Sequence, residues 1–185
     1  MHLLETYAVS CGAQIGKCFI KEESMPLPKN KYITFHGFNP KGSSRQYEHW
    51  QIVIDTLLQH KEFDHEIVQV GGLIDHRFNG INTEYLGATS YNNLAYLIKH
   101  SELHLGFDSL PVHLASHYNK KIVAIYCHYS SISGPYFSSY KDIRILQPDF
   151  SQIKPTYGYN DPNNLIQKID PLEISEAVLS LLCGK

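Results

Sequence analysis

Apolar positions along this chain alternate between two spacings, and that alternation carries most of the fold. Short runs at Tyr32-Ile33-Thr34-Phe35, Glu66 to Val70, Tyr85-Leu86, Leu103-His104-Leu105-Gly106 and Ile122 to Tyr126 predict strands, with Ile143 to Leu146 as a sixth. Between them apolar residues recur at helical spacing. Trp50, Ile52, Val53, Ile54, Leu57 and Leu58 predict a helix over 46–59. Leu94, Leu97 and Ile98 predict a second one behind Ser90, a good N-cap, and Pro111 opens a short third that runs to about His117. Asp170-Pro171-Leu172-Glu173 supplies an N-cap and a proline at the first helical position, ahead of a face of Ile174, Val178, Leu181 and Leu182.

Met1 to Cys11 predicts an opening helix stopped at Gly12, and the charged, proline-bearing stretch behind it looks like a linker. The expected organisation is therefore residues 1–30 as helix and linker and 31–185 as one α/β domain. Strands alternating with helices at this spacing imply right-handed βαβ units. The fold class is a Rossmann-like open parallel sheet with helices on both faces.

Composition narrows the function classes. The 185 residues suffice for one sizeable core, and 16 basic against 18 acidic residues leave a formal charge of −2 with no basic block. Non-specific nucleic-acid binding is a poor match to that balance. Cys11, Cys18, Cys127 and Cys183 are scattered and form no CxxC pair, so ordinary reduced thiols are expected, with neither metal nor cofactor. No basic-then-apolar leader or membrane-length apolar run is present, and a cytoplasmic location is expected.

In an open parallel sheet, ligands bind outside the carboxyl ends of the strands. Four loops fall there: 36–47, 71–79, 87–90 and 106–113. In the first, Ser43, Ser44 and Arg45 offer hydroxyls and a guanidinium where a helix is expected to begin, a natural anion site; a solvated turn is the plainer reading. The second holds Gly71-Gly72 and Asp75, and the third places Thr89 and Ser90 at a helix start. In the fourth, Asp108 and Ser109 precede a helix that carries His113 one turn in. There Asp108 and Ser109 either cap the helix or hold a ligand. A GxxxxGK[ST] loop and a GxGxxG fingerprint are both absent, and Ser109 lacks the second glycine of a nucleophile elbow.

These residues resemble the C-terminal domain of glycosyltransferase family 9, the ADP-heptose:lipopolysaccharide heptosyltransferases. The likeness rests on Arg45 through Trp50, on Gly71-Gly72, on Leu86-Gly87-Ala88-Thr89-Ser90 running to Leu97-Ile98, and on Gly106-Phe107-Asp108-Ser109-Leu110-Pro111-Val112-His113-Leu114-Ala115 followed by Lys121 to Tyr126. It spans roughly residues 30 to 130.

The resemblance implies a GT-B C-terminal domain binding a nucleotide-diphosphate sugar, with sugar transfer by inversion and without a metal. By position it assigns Ser43, Ser44 and Arg45 to the diphosphate, Thr89 and Ser90 to the neighbourhood of the nucleotide, and Asp108, Ser109 and His113 to the diphosphate-sugar. Leu110 stands where the family has glycine, and the family's lysine ahead of the tryptophan is missing from its usual place. The N-terminal domain that holds the acceptor and supplies the base has no counterpart in this stretch, so no catalytic residue is assigned. Transfer would need a partner chain or self-association, with an exposed apolar patch near the first and last helices. The alternative is an inactive nucleotide-sugar-binding or protein-interaction module derived from the same fold.

Overall fold

The computed structural model describes residues 1–38, 43–137, 140–155 and 163–184. Six parallel strands form one sheet: β1 (Tyr32–His36), β2 (Glu66–Gly71), β3 (Thr83–Leu86), β4 (Leu103–Phe107), β5 (Lys121–Ile125) and β6 (Ile143–Leu146), in the order β3-β2-β1-β4-β5-β6. The helices are α1 (Leu3–Ser10), α2 (Trp50–Gln59), α3 (Tyr91–His100), α4 (Leu110–His117), α5 (Ser130–Ser133) and α6 (Pro171–Cys183). This is the α/β, Rossmann-like arrangement expected.

The central strands are buried on both faces, as a helix-covered parallel sheet requires. Alternate residues feed two cores. Ile33, Phe35, Ile67, Leu103, Leu105, Val123 and Ile125 meet α2 and α6 on one side. Val68, Val70, Ile122 and Ala124 meet α3 and α4 on the other. Trp50, fully buried, sits edge-on to Phe35 and Tyr47, with ring centroids 5.2 and 5.3 Å away.

Local signals in the sequence hold at most helix ends. Asp170 caps α6, its carboxylate accepting from the Leu172 N–H at 2.9 Å, and Gly184 closes it in the left-handed region. Ser90 caps α3 in a reciprocal box with Asn93. One expectation fails: α2 begins at Trp50, not near 46, and a short 3₁₀ turn covers Ser43–Arg45 instead. Long-range hydrogen bonds cause the shift. Gln167 donates to the Gln46 carbonyl and accepts from the Glu48 N–H, while the Tyr47 hydroxyl donates to the Ile169 carbonyl. Held in this way, 46–49 cannot wind into the helix. Ile52 and Leu58, expected on the buried face of this helix, are 47% and 41% exposed.

Gly106 lets β1 and β4 approach closely. A Cβ there would lie 2.8 Å from the His36 carbonyl oxygen and 3.1 Å from His104 Nε2. His104 is fully buried, its Nδ1 3.0 Å from the Thr34 hydroxyl, and burial followed by the charge of His36 pulls its pKa down to about 3. A histidine held neutral in the fold and protonated when unfolded stabilises fully above its unfolded pKa of about 6.5 and loses that contribution as pH falls. Between pH 6.5 and 4.5, urea midpoints of the native protein are therefore expected to fall more steeply than those of His104→Asn. Parallel slopes would contradict this.

Among the described residues no helix is long and apolar enough to cross a membrane. None of the four cysteines forms a disulfide. An exposed apolar patch is present at α1, where Leu3, Tyr7 and Val9 are exposed and no residue is buried; at α6 it is limited to Leu172.

Candidate functional site

The strand order reverses direction between β1 and β4. Successive strands run outward from β1 to β3 on one side and from β4 to β6 on the other. A crevice opens at such a switch point, outside the carboxyl ends of the two strands. Here those ends are His36 and Phe107-Asp108-Ser109.

Asp108 organises the crevice. Its side chain is 8% exposed and three donors surround it: His128 Nε2 at 3.0 Å from Oδ2, Arg45 Nη2 at 3.6 Å from Oδ2, and His113 Nε2 at 3.7 Å from Oδ1. Arg45 Nη1 also donates to the Asp108 carbonyl at 3.3 Å. Burial by itself would push this carboxyl up. The polar contacts from His113 and His128, with the charge of Arg45, outweigh burial and hold it well below the usual carboxylate range. Tyr126 lies close by, fully buried, and burial and then the negative charge of Asp108 push its phenol up.

A second chain of contacts runs through His36. Its Nδ1 lies 2.9 Å from Ser109 Oγ and its Nε2 lies 3.4 Å from Asp75 Oδ2. Asp75 is itself fixed by the Gly72 N–H, 2.9 Å from the same oxygen. Gly71 makes room for this carboxylate: at φ +156°, a Cβ would fall 2.0 Å from Asp75 Oδ2. Ser109 occupies the N-cap position of α4 but does not use its hydroxyl as a cap. That hydroxyl lies 3.1 Å from the Phe107 carbonyl, which accepts from it, and faces His36 on its other side.

Of the residues marked from sequence, Arg45, Asp75, Asp108, Ser109 and His113 thus converge around the ends of β1, β2 and β4. Gly71 shapes the Asp75 turn, and Ser44 is buried in the 3₁₀ turn beside Arg45. The Ser43 side chain and residues 39–42 of the first loop lie outside the described residues. Thr89 and Ser90 follow β3 at the sheet edge, two strands from β1. The Ser90 hydroxyl is engaged with Asn93 Oδ1 at 2.7 Å, and no described contact ties this pair to Asp108. Leu110, at the family's glycine position, is 46% exposed.

Sequence reasoning overlooked His36 and His128. Each ends or follows a central strand at its carboxyl end, and that position was the available signal. Among the described residues no group of three or more His, Cys, Asp or Glu is placed to hold a metal ion.

A parallel sheet whose order reverses, with a charged crevice at the reversal, defines a Rossmann-like α/β domain. A family model described as "Glycosyltransferase family 9 (heptosyltransferase)" matches residues 44–154, and the chain belongs to that family. No curated protein matches it.

Three solved structures are similar over nearly all of this chain. ADP-heptose lipopolysaccharide heptosyltransferase II of E. coli is 15% identical with a TM-score of 0.65, covering 97% of this chain and 51% of its own. A family 9 glycosyl transferase of Veillonella parvula is 16% identical with a TM-score of 0.66, covering 98% and 50%. The E. coli heptosyltransferase WaaC, solved with ADP, is 14% identical with a TM-score of 0.62, covering 96% and 54%. The chain spans about half the length of each of these structures.

Proposed function

We propose that the crevice between β1 and β4 binds a nucleotide-diphosphate sugar. The observation that carries this reading is that Arg45 and His113, each 43% exposed at the side chain, are anchored on one buried carboxylate at the switch point. Anchored at Asp108 and open to solvent on its other side, Arg45 presents guanidinium donors to an anion with little conformational freedom left to lose, and His113 stands beside it. The first turn of α4 adds amide dipoles of the same sense. Ser44, Gly71 and Asp75 belong to the approach from β1 and β2, while Thr89 and Ser90 belong to its outer edge, toward a base or ribose. In this reading Asp108 aims Arg45 and His113 and does not itself receive the sugar hydroxyls.

Sugar transfer with inversion follows when a second domain or partner chain brings the acceptor and a base. The growing charge on the departing diphosphate is then met by Arg45, His113 and the helix dipole. A cytoplasmic nucleotide-sugar pool is the matching donor source. A non-transferring binding module is the second reading, favoured by Leu110, whose exposed side chain stands at the mouth of α4 where a glycine would leave the approach open.

Thermal unfolding with ADP, UDP and GDP and their hexose or heptose conjugates tests the binding step. Ligand at about 100 times its Kd stabilises by roughly 2.7 kcal/mol. At least one nucleoside diphosphate is expected to raise Tm at millimolar concentration, and Arg45→Ala should weaken that response at least tenfold. No response from any of them would remove the proposal.

A further inference from the structure

The contacts through His36 form an ordered line that the nucleotide-sugar reading leaves unused. Asp75, 3% exposed at the side chain, stands at the inner end, and His36, 15% exposed, follows it. Ser109, half-buried at the N-cap of α4, is the outer end. The Asp75 Oδ2 lies 3.4 Å from His36 Nε2, and His36 Nδ1 lies 2.9 Å from Ser109 Oγ. Each group is fixed from behind. Asp75 accepts from the Gly72 N–H, the His36 ring packs on Phe107 with centroids 4.8 Å apart, and Ser109 opens a helix. A Cβ on Gly71 would come within 3.3 Å of His36 Cδ2, so this glycine keeps the ring's place clear as well as the carboxylate's.

The chemistry follows from the order of the three groups. An ionised carboxylate only accepts, so Asp75 favours the proton of a neutral His36 on Nε2. Nδ1 then carries the lone pair and faces the Ser109 hydroxyl at hydrogen-bond distance. The single Ser109 proton has two acceptors in reach, His36 Nδ1 and the Phe107 carbonyl at 3.1 Å. Turned to His36, it leaves Oγ with a base to receive that proton as a new bond forms. Ser109 needs no second glycine here, because its φ of −159° is extended backbone open to any residue. In the first turn of α4, Pro111 has no N–H and the Val112 N–H is spent on the Ser109 carbonyl at 3.1 Å. The Leu110 N–H is left, at the position that supplies an oxyanion donor beside a serine nucleophile. One such donor suits the single oxygen of an acyl carbon better than the three oxygens of a phosphoryl group.

We propose that Asp75, His36 and Ser109 form a nucleophilic site for an activated acyl ester. Ser109 Oγ bonds to the acyl carbon while its proton passes to His36 Nδ1; the alcohol departs with that proton and leaves an acyl-serine. Water then gives a proton to His36 and attacks the acyl-serine, releasing the acid and restoring the hydroxyl. Ser109 and His36 are the catalytic residues, and Asp75 positions the imidazole. This activity goes beyond the nucleotide-sugar reading and stands or falls without it.

A biotinylated fluorophosphonate and p-nitrophenyl acetate are the probes, applied to the full chain. The fluorophosphonate is expected to attach to Ser109 with loss of fluoride, as read by peptide mass spectrometry. Release of p-nitrophenolate should fall by about 100-fold or more in Ser109→Ala and in His36→Gln. Asp75→Asn should lower kcat by about tenfold with KM unchanged, and should cost nothing further in the His36→Gln background. Thermal melts show that each variant is folded. An unlabelled protein, or a label carried by another residue, overturns the site, and this reading needs no variant. Turnover that survives in Ser109→Ala also overturns it, because histidines elsewhere on the surface are then the source.

Discussion

Replacing Asp108 with alanine is expected to cost about 2–3 kcal/mol of stability and to abolish nucleoside diphosphate binding together. Breaking a buried charge pair by removing one partner typically costs 3–5 kcal/mol, because the other charge is left buried. Here the cost is smaller, since Arg45 and His113 are both 43% exposed and regain water. His128, 8% exposed, bears most of the loss. For a domain of this size the drop corresponds to roughly 5–10 °C in Tm.

Binding should fail more completely than stability does, since Arg45 and His113 then lose the anchor that aims them. Asp108→Asn separates charge from shape. A carboxyl held low in the fold stabilises above its unfolded pKa, and that contribution is lost as pH falls through about 4 and below. The native protein should therefore lose stability in that acid window more steeply than Asp108→Asn. Thermal melts from pH 7 to pH 3 measure both, and an alanine variant within about 0.5 kcal/mol of the native protein would show that the cluster is ornamental.

Trp50→Ala should be the most destabilising single change, about 3–5 kcal/mol, as large-to-small substitutions in a closed core generally are. The tryptophan is fully buried between β1 and the segment before α2, against Phe35 and Tyr47. Its indole Nε1 is buried without a hydrogen-bond partner among the described residues, and an unsatisfied donor carries a desolvation cost of roughly 1–3 kcal/mol. Trp50→Phe sheds that donor while keeping a ring, so it should cost less than half as much as alanine. Urea unfolding followed by circular dichroism decides the point, since Trp50 is the single tryptophan and its own fluorescence is lost in both variants. Equal costs would mean that the donor is satisfied in solution.

The sheet was legible because its signals are local. Strand runs, the proline and aspartate that open α6, and the Ser90 cap each act within a few residues of where they are read. What the sequence concealed depends on contacts between distant segments. The start of α2 is set by Gln167 and Ile169, about 120 positions away. The Ser109 hydroxyl, legible as a helix cap, turns instead to His36, 73 residues earlier. His128 joins Asp108 only because β4 and β5 are neighbours and their carboxyl ends meet. The family likeness singled out Asp108, Ser109 and His113 by position, but it did not indicate that Asp108 would be enclosed by donors from this same chain.

The placing of β1 between β2 and β4 also governs how the molecule assembles. Thr34 pairs with His104 across a gap of 70 residues. A ribosome that has delivered only the first two strands leaves one side of β1 with bare amide and carbonyl groups, open to pairing with a neighbouring chain. The same delay applies to the crevice, because Arg45 emerges long before the carboxylate that will hold it. Ligands that require that pairing therefore cannot chaperone early synthesis. They can act only on a domain whose centre has already closed.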